Sequence, residues 1–131
     1  MQETCDTIYQ LLKTRADRAP RAAAIVAPGR GPLTYALLLQ RVEHLAHLLH
    51  EMGIGRNDRV AIVLPNGSEM AMAFLGVAAC ATSAPLNPAF RDAEFDFLFS
   101  DLRPKALIVQ SDTNSPAIAI AQKHCIPIIE A

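Results

Sequence analysis

The sequence has no tryptophan, only three cysteines and no excess of either sign of charge. Twelve Lys and Arg residues stand against thirteen Asp and Glu residues. They are scattered rather than clustered, which argues against a nucleic-acid-binding surface. Cys5, Cys80 and Cys125 are odd in number and form no C-x-x-C pair, so the sequence indicates neither a disulfide framework nor a zinc site. Reduced thiols are typical of the cytoplasm.

A long hydrophobic run is also missing. The most apolar stretch, around residues 70–81, is well short of the roughly 20 residues that a bilayer-spanning helix needs. The first three residues, Met-Gln-Glu, do not begin a basic region that leads into an apolar one, as a secretory signal does. We therefore expect a soluble, non-secreted, cytoplasmic protein. Because 51% of its residues are hydrophobic and 19% are charged, residues 1–131 are predicted to form one globular domain.

The stretch that organises the chain is a continuous apolar run, which predicts a central parallel strand at 59–64 that is buried on both faces. A Pro-Asn-Gly triplet follows and ends the strand. An apolar helix is then predicted over 67–81. Asn66 is predicted to be its N-cap, and Glu69 to reach back to the Asn66 amide in a capping box.

Strands and helices alternate along the rest of the chain. Before the central strand, the patterns predict a helix capped by Thr4 or Asp6, a strand at 22–27, a turn at 28–32 and a helix over 34–52, capped by Thr34 and ended by Gly53. After it, they predict a strand at 82–86, a helix over 92–102, a strand at 106–110, a helix over 116–124 and an edge strand at 126–129. Such alternation is typical of right-handed βαβ units. The predicted fold class is α/β, a mainly parallel sheet with helices on both faces, plus a small N-terminal hairpin.

Several residue types that often carry chemistry favour a structural interpretation here. His44, His47 and His50 fan over the polar face of one helix without an H-E-x-x-H pattern, which favours a solvated face over a metal site. Cys80 lies on an apolar helix with no base near it in sequence, which favours a core residue over a nucleophile. Gly29-Arg30-Gly31 lacks the spacing of a phosphate loop and is predicted to be a plain turn.

In open α/β sheets, ligands bind beyond the carboxyl ends of the strands. Those positions are 65–67, 85–88 and 110–113, the only segments where a site is expected. The start of the helix after Asn66 could hold an anion with its backbone amides, but one glycine without a lysine is weak support. No acid/base pair and no G-x-S-x-G elbow is present. We therefore assign no catalytic, cofactor-binding or metal-binding residue.

Three runs carry a family resemblance: Leu33-Thr34-Tyr35-Ala36-Leu37-Leu38, Ala46-His47-Leu48-Leu49, and Met52-Gly53-Ile54-Gly55-Arg56-Asn57-Asp58-Arg59-Val60-Ala61-Ile62-Val63-Leu64-Pro65-Asn66. Together they resemble the N-terminal region of the adenylate-forming enzymes: acyl-CoA synthetases, aryl-CoA ligases, luciferases and peptide-synthetase adenylation domains. The match is continuous over about 7–111. Three further runs, 84–90, 94–98 and 105–109, are similar to the branch that includes the oxalate-CoA ligases and related small-acid ligases. Many members have Lys-Ala-Gly where this chain has Ala-Cys-Ala at 79–81, which weakens a link to the peptide synthetases.

The resemblance implies a ligase that uses ATP, Mg and coenzyme A to convert a carboxylic acid to an acyl-adenylate and then to an acyl-CoA. It also implies a Ser/Thr/Gly-rich phosphate loop and a C-terminal lysine, neither of which is in this sequence. We therefore expect the chain to be a truncated N-terminal part of a longer ligase, inactive alone. The alternative is a free-standing, non-catalytic binding or interaction module derived from such an enzyme. Because the sheet lacks further layers, self-association to a homo-oligomer through the uncovered sheet is also predicted.

Overall fold

The structure is a computed structural model, which describes residues 7–111 and 113–131. Its elements are α1 (Ile8–Arg18), β1 (Ala23–Ile25), β2 (Leu33–Thr34), α2 (Tyr35–Glu51), β3 (Arg59–Val63), α3 (Ser68–Ala78), β4 (Thr82–Pro85), α4 (Asp92–Leu102), β5 (Ala106–Val109), α5 (Pro116–Lys123) and β6 (Ile128–Glu130). The predicted α/β class is confirmed, with each predicted strand and helix present and most ends shifted by a few residues.

Four strands form one parallel sheet in the order β4-β3-β5-β6. The strands predicted at 59–64 and 106–110 lie in this sheet and pair directly, since Ala61 pairs with Leu107 and Ile62 with Ile108. β1 and β2 form the predicted antiparallel hairpin. β6 lies at the edge of the sheet directly after Pro127, as the proline indicated.

Two helical layers cover the sheet because successive side chains of β3 point to opposite faces. Val60 and Ile62 pack with residues of α2 and α3, among them Leu49 and Val77. The next residues along β3 and β5 pack on the other face against α4 and α5, where Phe95 and Phe99 are fully buried. The continuous apolar pattern of β3 therefore has a direct cause: both faces of the strand are core.

The helix α2 begins and ends as its sequence predicts. The hydroxyl of Thr34 accepts a hydrogen bond from the Leu37 amide at 3.2 Å. At the other end Gly53 has a φ of 79°, and the amides of Gly53 and Ile54 donate to the carbonyls of His50 and Leu49. This is the Schellman arrangement, in which the left-handed residue is usually glycine.

The helix α5 ends in the same way but without glycine. Cys125 has a φ of 57°, and the amides of Cys125 and Ile126 donate to the carbonyls of Gln122 and Ala121. Ile126 is buried against the core on that side of the sheet. A cysteine in the left-handed region carries a backbone cost that glycine does not. No sequence signal pointed to this cap.

Three predictions about helix ends need correction. Thr4 and Asp6 lie outside the described residues, as does Cys5, and the N-cap of α1 is Thr7, whose hydroxyl accepts from the Gln10 amide at 3.1 Å. Asn66 does not cap α3: the N-cap is Gly67, without a side-chain hydrogen bond. The predicted end at 81 was also wrong, since α3 ends at Ala78.

The predicted capping box is also absent, because Glu69 has a long-range partner. The Glu69 carboxylate, which the capping box would use, instead pairs with the Arg30 guanidinium in the turn between β1 and β2. A local pattern could not anticipate a partner 39 positions away. Separately, among the described residues no helix is long and apolar enough to span a membrane.

The two similar helix ends of α2 and α5 give a matched pair of substitutions. We expect Gly53→Ala to lower the free energy of unfolding by about 1 kcal/mol, because a Cβ is unfavourable at positive φ. Cys125→Gly should raise it, by up to about 1 kcal/mol, since strain is relieved at some cost in chain entropy. Urea unfolding followed by circular dichroism measures both. Equal effects of the same sign would contradict the assignment of these caps.

Candidate functional site

Two of the three strand-end segments expected to form a site meet in one cleft. Asn66, which follows β3, and Gln110 and Ser111, which follow β5, line a space of about 370 Å³ at the carboxyl edge of the sheet. Arg30 and Glu69 also line it. The cleft lies where parallel strands of this kind of sheet place ligand sites, because adjacent strands β3 and β5 end there together.

The third segment, 85–88, lies apart from this cleft. β4 pairs with the opposite side of β3, and the Leu86 amide donates to the Ile62 carbonyl at 2.9 Å. Leu86 and Phe90 pack into the core beneath α4. Asn87 closes a turn by accepting from the Ala89 amide at 2.9 Å. This segment therefore connects β4 to α4, and it is not among the residues that line the cleft.

The polar groups of the cleft mainly bond to the protein itself. The Ser111 hydroxyl donates to the Ala131 carbonyl at 2.9 Å. Arg30 and Glu69 form an ion pair, with side chains 60% and 41% exposed, and so hold the β1–β2 turn against the start of α3. With a carboxylate in its first turn, α3 already has negative charge at its N-terminus, which opposes the anion hypothesis raised for this position.

The described residues of the cleft can bind by hydrogen bonding but form no catalytic pair; Asp112, in the expected segment 110–113, lies outside the described residues. Its free polar groups are the side-chain amides of Asn66 and Gln110, and amides neither gain nor lose a proton near neutral pH. Its one cation, Arg30, is paired. Within 7–111 and 113–131, no three His, Cys, Asp or Glu side chains gather as a metal site would require.

The histidines, the cysteine and the glycine turn for which the sequence favoured a structural interpretation were also located in the structure. His47 pairs with Glu51 at 3.1 Å on the exposed face of α2, and both side chains are more than 60% exposed. Cys80 packs against the core, where burial raises the pKa of its thiol, the opposite of what a nucleophile needs. Gly29-Arg30-Gly31 is a plain turn, as predicted, in which the Arg30 amide donates to the Ala27 carbonyl.

A second polar cluster, which the sequence did not reveal, joins α4 to α5. The Asp96 carboxylate lies 2.7 Å from His124 Nε2 and 3.2 Å from Lys123 Nζ. The hydrogen bonds from His124 and then Lys123 lower the pKa of Asp96. The His124 ring also meets Phe99 edge-on. The cluster links α4 to the end of α5 on one side of the sheet. Because Asp96 and its partners are far apart in sequence, no local motif indicates the cluster.

Comparison with known proteins then decides the family. The model of the AMP-binding enzyme family matches residues 12–130, nearly the whole chain. The chain belongs to the AMP-binding enzyme family. A probable CoA ligase, CCL9 of Humulus lupulus, is 40% identical over 95% of this chain and 24% of its own length. The oxalate–CoA ligase of Arabidopsis thaliana is 38% identical over 96% of this chain and 25% of its own length. This chain therefore spans about a quarter of these relatives.

A solved structure of the same kind supports the fold of this AMP-binding family member. The N-terminal domain of FACL13 from Mycobacterium tuberculosis superposes with a TM-score of 0.81 at 28% identity, over 97% of this chain and 34% of that domain. The predicted resemblance to the acyl-CoA synthetases, with an oxalate–CoA ligase among the relatives, is confirmed.

The Asp96 cluster of this AMP-binding family member predicts an acid-sensitive contribution to stability. Folding lowers the pKa of Asp96, so its carboxylate should stabilise the fold at every pH above the usual carboxyl pKa of about 3.9. That stabilisation should be lost as the pH falls through the pKa that Asp96 has in the folded state. Asp96→Asn should therefore unfold at lower urea than the wild type at pH 7, and the gap should close in acid.

Asp101 offers a matched control on the same helix, because it forms no ion pair within the described part of the chain. Asp101→Asn should leave the urea midpoint near that of the wild type at every pH. A gap for Asp96→Asn that does not begin to narrow as the pH falls below about 3.9, the usual carboxyl pKa, would contradict the assigned role of the carboxylate.

Proposed function

We propose that a whole protein containing this chain is an ATP-dependent, AMP-forming carboxylic acid–CoA ligase. It would convert a carboxylate to an acyl-adenylate with release of pyrophosphate, and then to an acyl-CoA. The observation that carries this proposal is that two relatives named as CoA ligases, at 40% and 38% identity, match 95% and 96% of the chain. The fold supports the proposal more weakly, because one architecture can host several chemistries.

The described residues do not fit a site for magnesium or for a triphosphate. The cleft at the carboxyl edge has one arginine, already paired, and no lysine. We therefore derive no chemical step on this chain, and we propose that the catalytic groups belong to segments outside it. The 131-residue chain alone is proposed to be inactive, since the loss of even one transition-state donor typically costs about a hundred- to a thousandfold in rate.

The proposed substrate is a small carboxylic acid. The support is the similarity of the chain to the oxalate–CoA ligase of Arabidopsis thaliana. ATP, Mg and coenzyme A complete the set of reactants and cofactors that the family relation implies. The free thiols of Cys80 and Cys125 suit the cytoplasm, which we propose as the compartment.

The ligase proposal predicts turnover by an extended protein and none by this chain alone. The extended reading frame is expressed and supplied with ATP, magnesium, coenzyme A and acids from oxalate to medium-chain fatty acids. We expect AMP and an acyl-CoA, measured by mass spectrometry, with the smallest acids used best. The 131-residue chain serves as the control and should give no carboxylate-dependent ATP–pyrophosphate exchange above a heat-killed blank.

Two results would count against this function. Loading of the acid onto a carrier-protein thiol, with no acyl-CoA, would indicate a peptide-synthetase module. Exchange catalysed by the 131-residue chain itself would place the catalytic groups within it.

We also infer that the 131-residue chain on its own self-associates. The strand order β4-β3-β5-β6 leaves β4 and β6 at the two edges of the sheet, and we infer that the β6 edge makes the contact. The Pro127 carbonyl and the Ala131 amide form backbone hydrogen bonds with β5. Because the backbone groups of successive residues in a strand point to opposite sides, the N–H groups of Ile128 and Glu130 point away from β5, toward the open edge. An open edge of this kind pairs readily with another strand.

Static light scattering tests this inference at several protein concentrations. We expect a dimer for the wild type and a monomer for Glu130→Pro, because proline removes one outward N–H without disturbing the pairing of β6 with β5. Glu130→Ala keeps that N–H and should remain dimeric. A wild-type chain that stays monomeric at high concentration would overturn the inference.

A further inference from the structure

An apolar groove of about 510 Å³ runs between α2 and the β5–β6 side of the sheet. Leu37, Leu45 and Leu48 of α2 form one wall, and Ile108 and Ile129 project from the sheet. Leu37 is 38% exposed, while Leu45, Leu48 and Ile129 are half-buried. The groove is distinct from the cleft at the carboxyl edge, whose lining is polar by comparison.

The groove lies beside the place where α2 packs closely against α3. A Cβ built on Gly76 of α3 would lie 2.6 Å from Leu45 Cδ2 and 3.2 Å from Leu45 Cβ, so a larger residue there would require Leu45 to shift. On the same side of the sheet, Leu45 and Leu49 of α2 pack in one cluster with Ala106 and Ile108 of β5. The covering is less complete at the edge strand β6, where Ile129 is half-buried.

The topology limits which further βα unit could fill this space. The crossover from β3 to β4 runs one way along the sheet and places α3 on the groove side. The crossovers from β4 to β5 and from β5 to β6 run the other way and place α4 and α5 on the opposite side. With one crossover hand, a strand added beyond β6 would bring its helix to the side of α4 and α5, whereas a strand added beyond β4 would bring its helix to the groove side. The helices within 7–111 and 113–131 leave the groove open, so a helix that fills it must come from another segment.

The wall of the groove favours a helix as that segment. Leu37, Arg41, Leu45 and Leu48 recur at spacings of three or four residues, so they form a ridge along α2 of the kind that packs between the ridges of another helix. The groove lacks the convergent polar groups that orient a small ligand. Its polar side chains are all exposed: Gln40, Arg41, His44 and Glu130.

We propose that this groove seats an apolar face of a helix from the part of the ligase that this chain does not contain, as an internal interface of the whole enzyme. The proposal rests on the proposed function for the existence of that part. Its support is the length of the relatives, of which this chain spans 24% and 25%, together with an apolar groove that a βα unit added beyond β6 would not cover. Burial of Leu37 in the whole enzyme would remove from water an apolar surface that stays exposed in the 131-residue chain.

Covalent footprinting tests the proposal without any need for turnover. The 131-residue chain and the extended protein are labelled with a photogenerated carbene at concentrations where each is monomeric, and labels are located by mass spectrometry. We expect labelling of Leu37, Leu48 and Ile129 to fall several-fold in the extended protein. Equal labelling in the two proteins would overturn the proposal, as would protection in the 131-residue chain that rises with concentration, since the occupant would then be a second copy.

A matched pair of substitutions adds a second measurement. Leu37 and Leu11 are both leucines on helices, 38% and 48% exposed, and only Leu37 lines the groove. Leu37→Glu and Leu11→Glu should each leave the 131-residue chain folded. In the extended protein, Leu37→Glu should lower the folded-to-unfolded ratio by about tenfold or more, because an unpaired carboxylate would be buried, whereas Leu11→Glu should not.

The two measurements separate this inference from the ligase proposal. Protection of Leu37 in an extended protein that forms no acyl-CoA would support the groove and contradict the function. Acyl-CoA formation by an extended protein that tolerates Leu37→Glu as well as Leu11→Glu, with Leu37 fully labelled, would contradict the groove and leave the function standing.

Discussion

The whole fold depends on the burial of one strand, β3, on both of its faces. Val60, Ala61 and Ile62 are completely buried, and Val63 nearly so. Each buried Val or Ile side chain contributes about 1.5–3 kcal/mol relative to exposure. Because alternate residues of this five-residue strand point to opposite sides, burying them requires one helical layer above the sheet and another below it. The neighbours β4 and β5 then complete the backbone hydrogen bonding that a strand in an apolar interior requires.

The residues that identify the family also hold β3 in place. Gly53 ends α2, and the Asp58 carboxylate accepts from the Gly55 amide at 2.8 Å just before the strand. The Arg59 side chain donates to the Leu102 carbonyl at the end of α4, at 3.1 Å. The run Gly-x-x-x-x-Asp-Arg-Val therefore ends α2 and positions the start of β3. Its match to the family reflects the construction of the fold, and none of these groups lines the cleft.

What could be predicted from the sequence follows the range of the interactions involved. Local features were predicted well: the Thr34 cap, the Gly53 end of α2, the apolar run of β3 and the edge position after Pro127 all follow from contacts within a few residues. The capping box predicted at the start of α3 is absent, and its Glu69 pairs with Arg30 in another element. The Asp96–His124 contact likewise joins two elements, and a sequence pattern does not record such tertiary contacts. The cap at Cys125 was missed for a different reason: its hydrogen bonds are local, but its left-handed residue is not the glycine that usually marks such a helix end.

The candidate site shows a different limit. The rule that ligands bind beyond the carboxyl ends of parallel strands located the cleft, and the structure brought Asn66 and Gln110 together there. The rule concerns backbone geometry, so it gives a place and not a reaction. Chemistry at such a place needs groups that change charge or hold a metal, and the described lining offers amides, a hydroxyl bonded to the backbone and a closed ion pair. The residues that stop α2 and start β3 match the family and lie outside this cleft. A sequence can therefore show its family through residues that build the fold, and such a match does not by itself locate the groups that react.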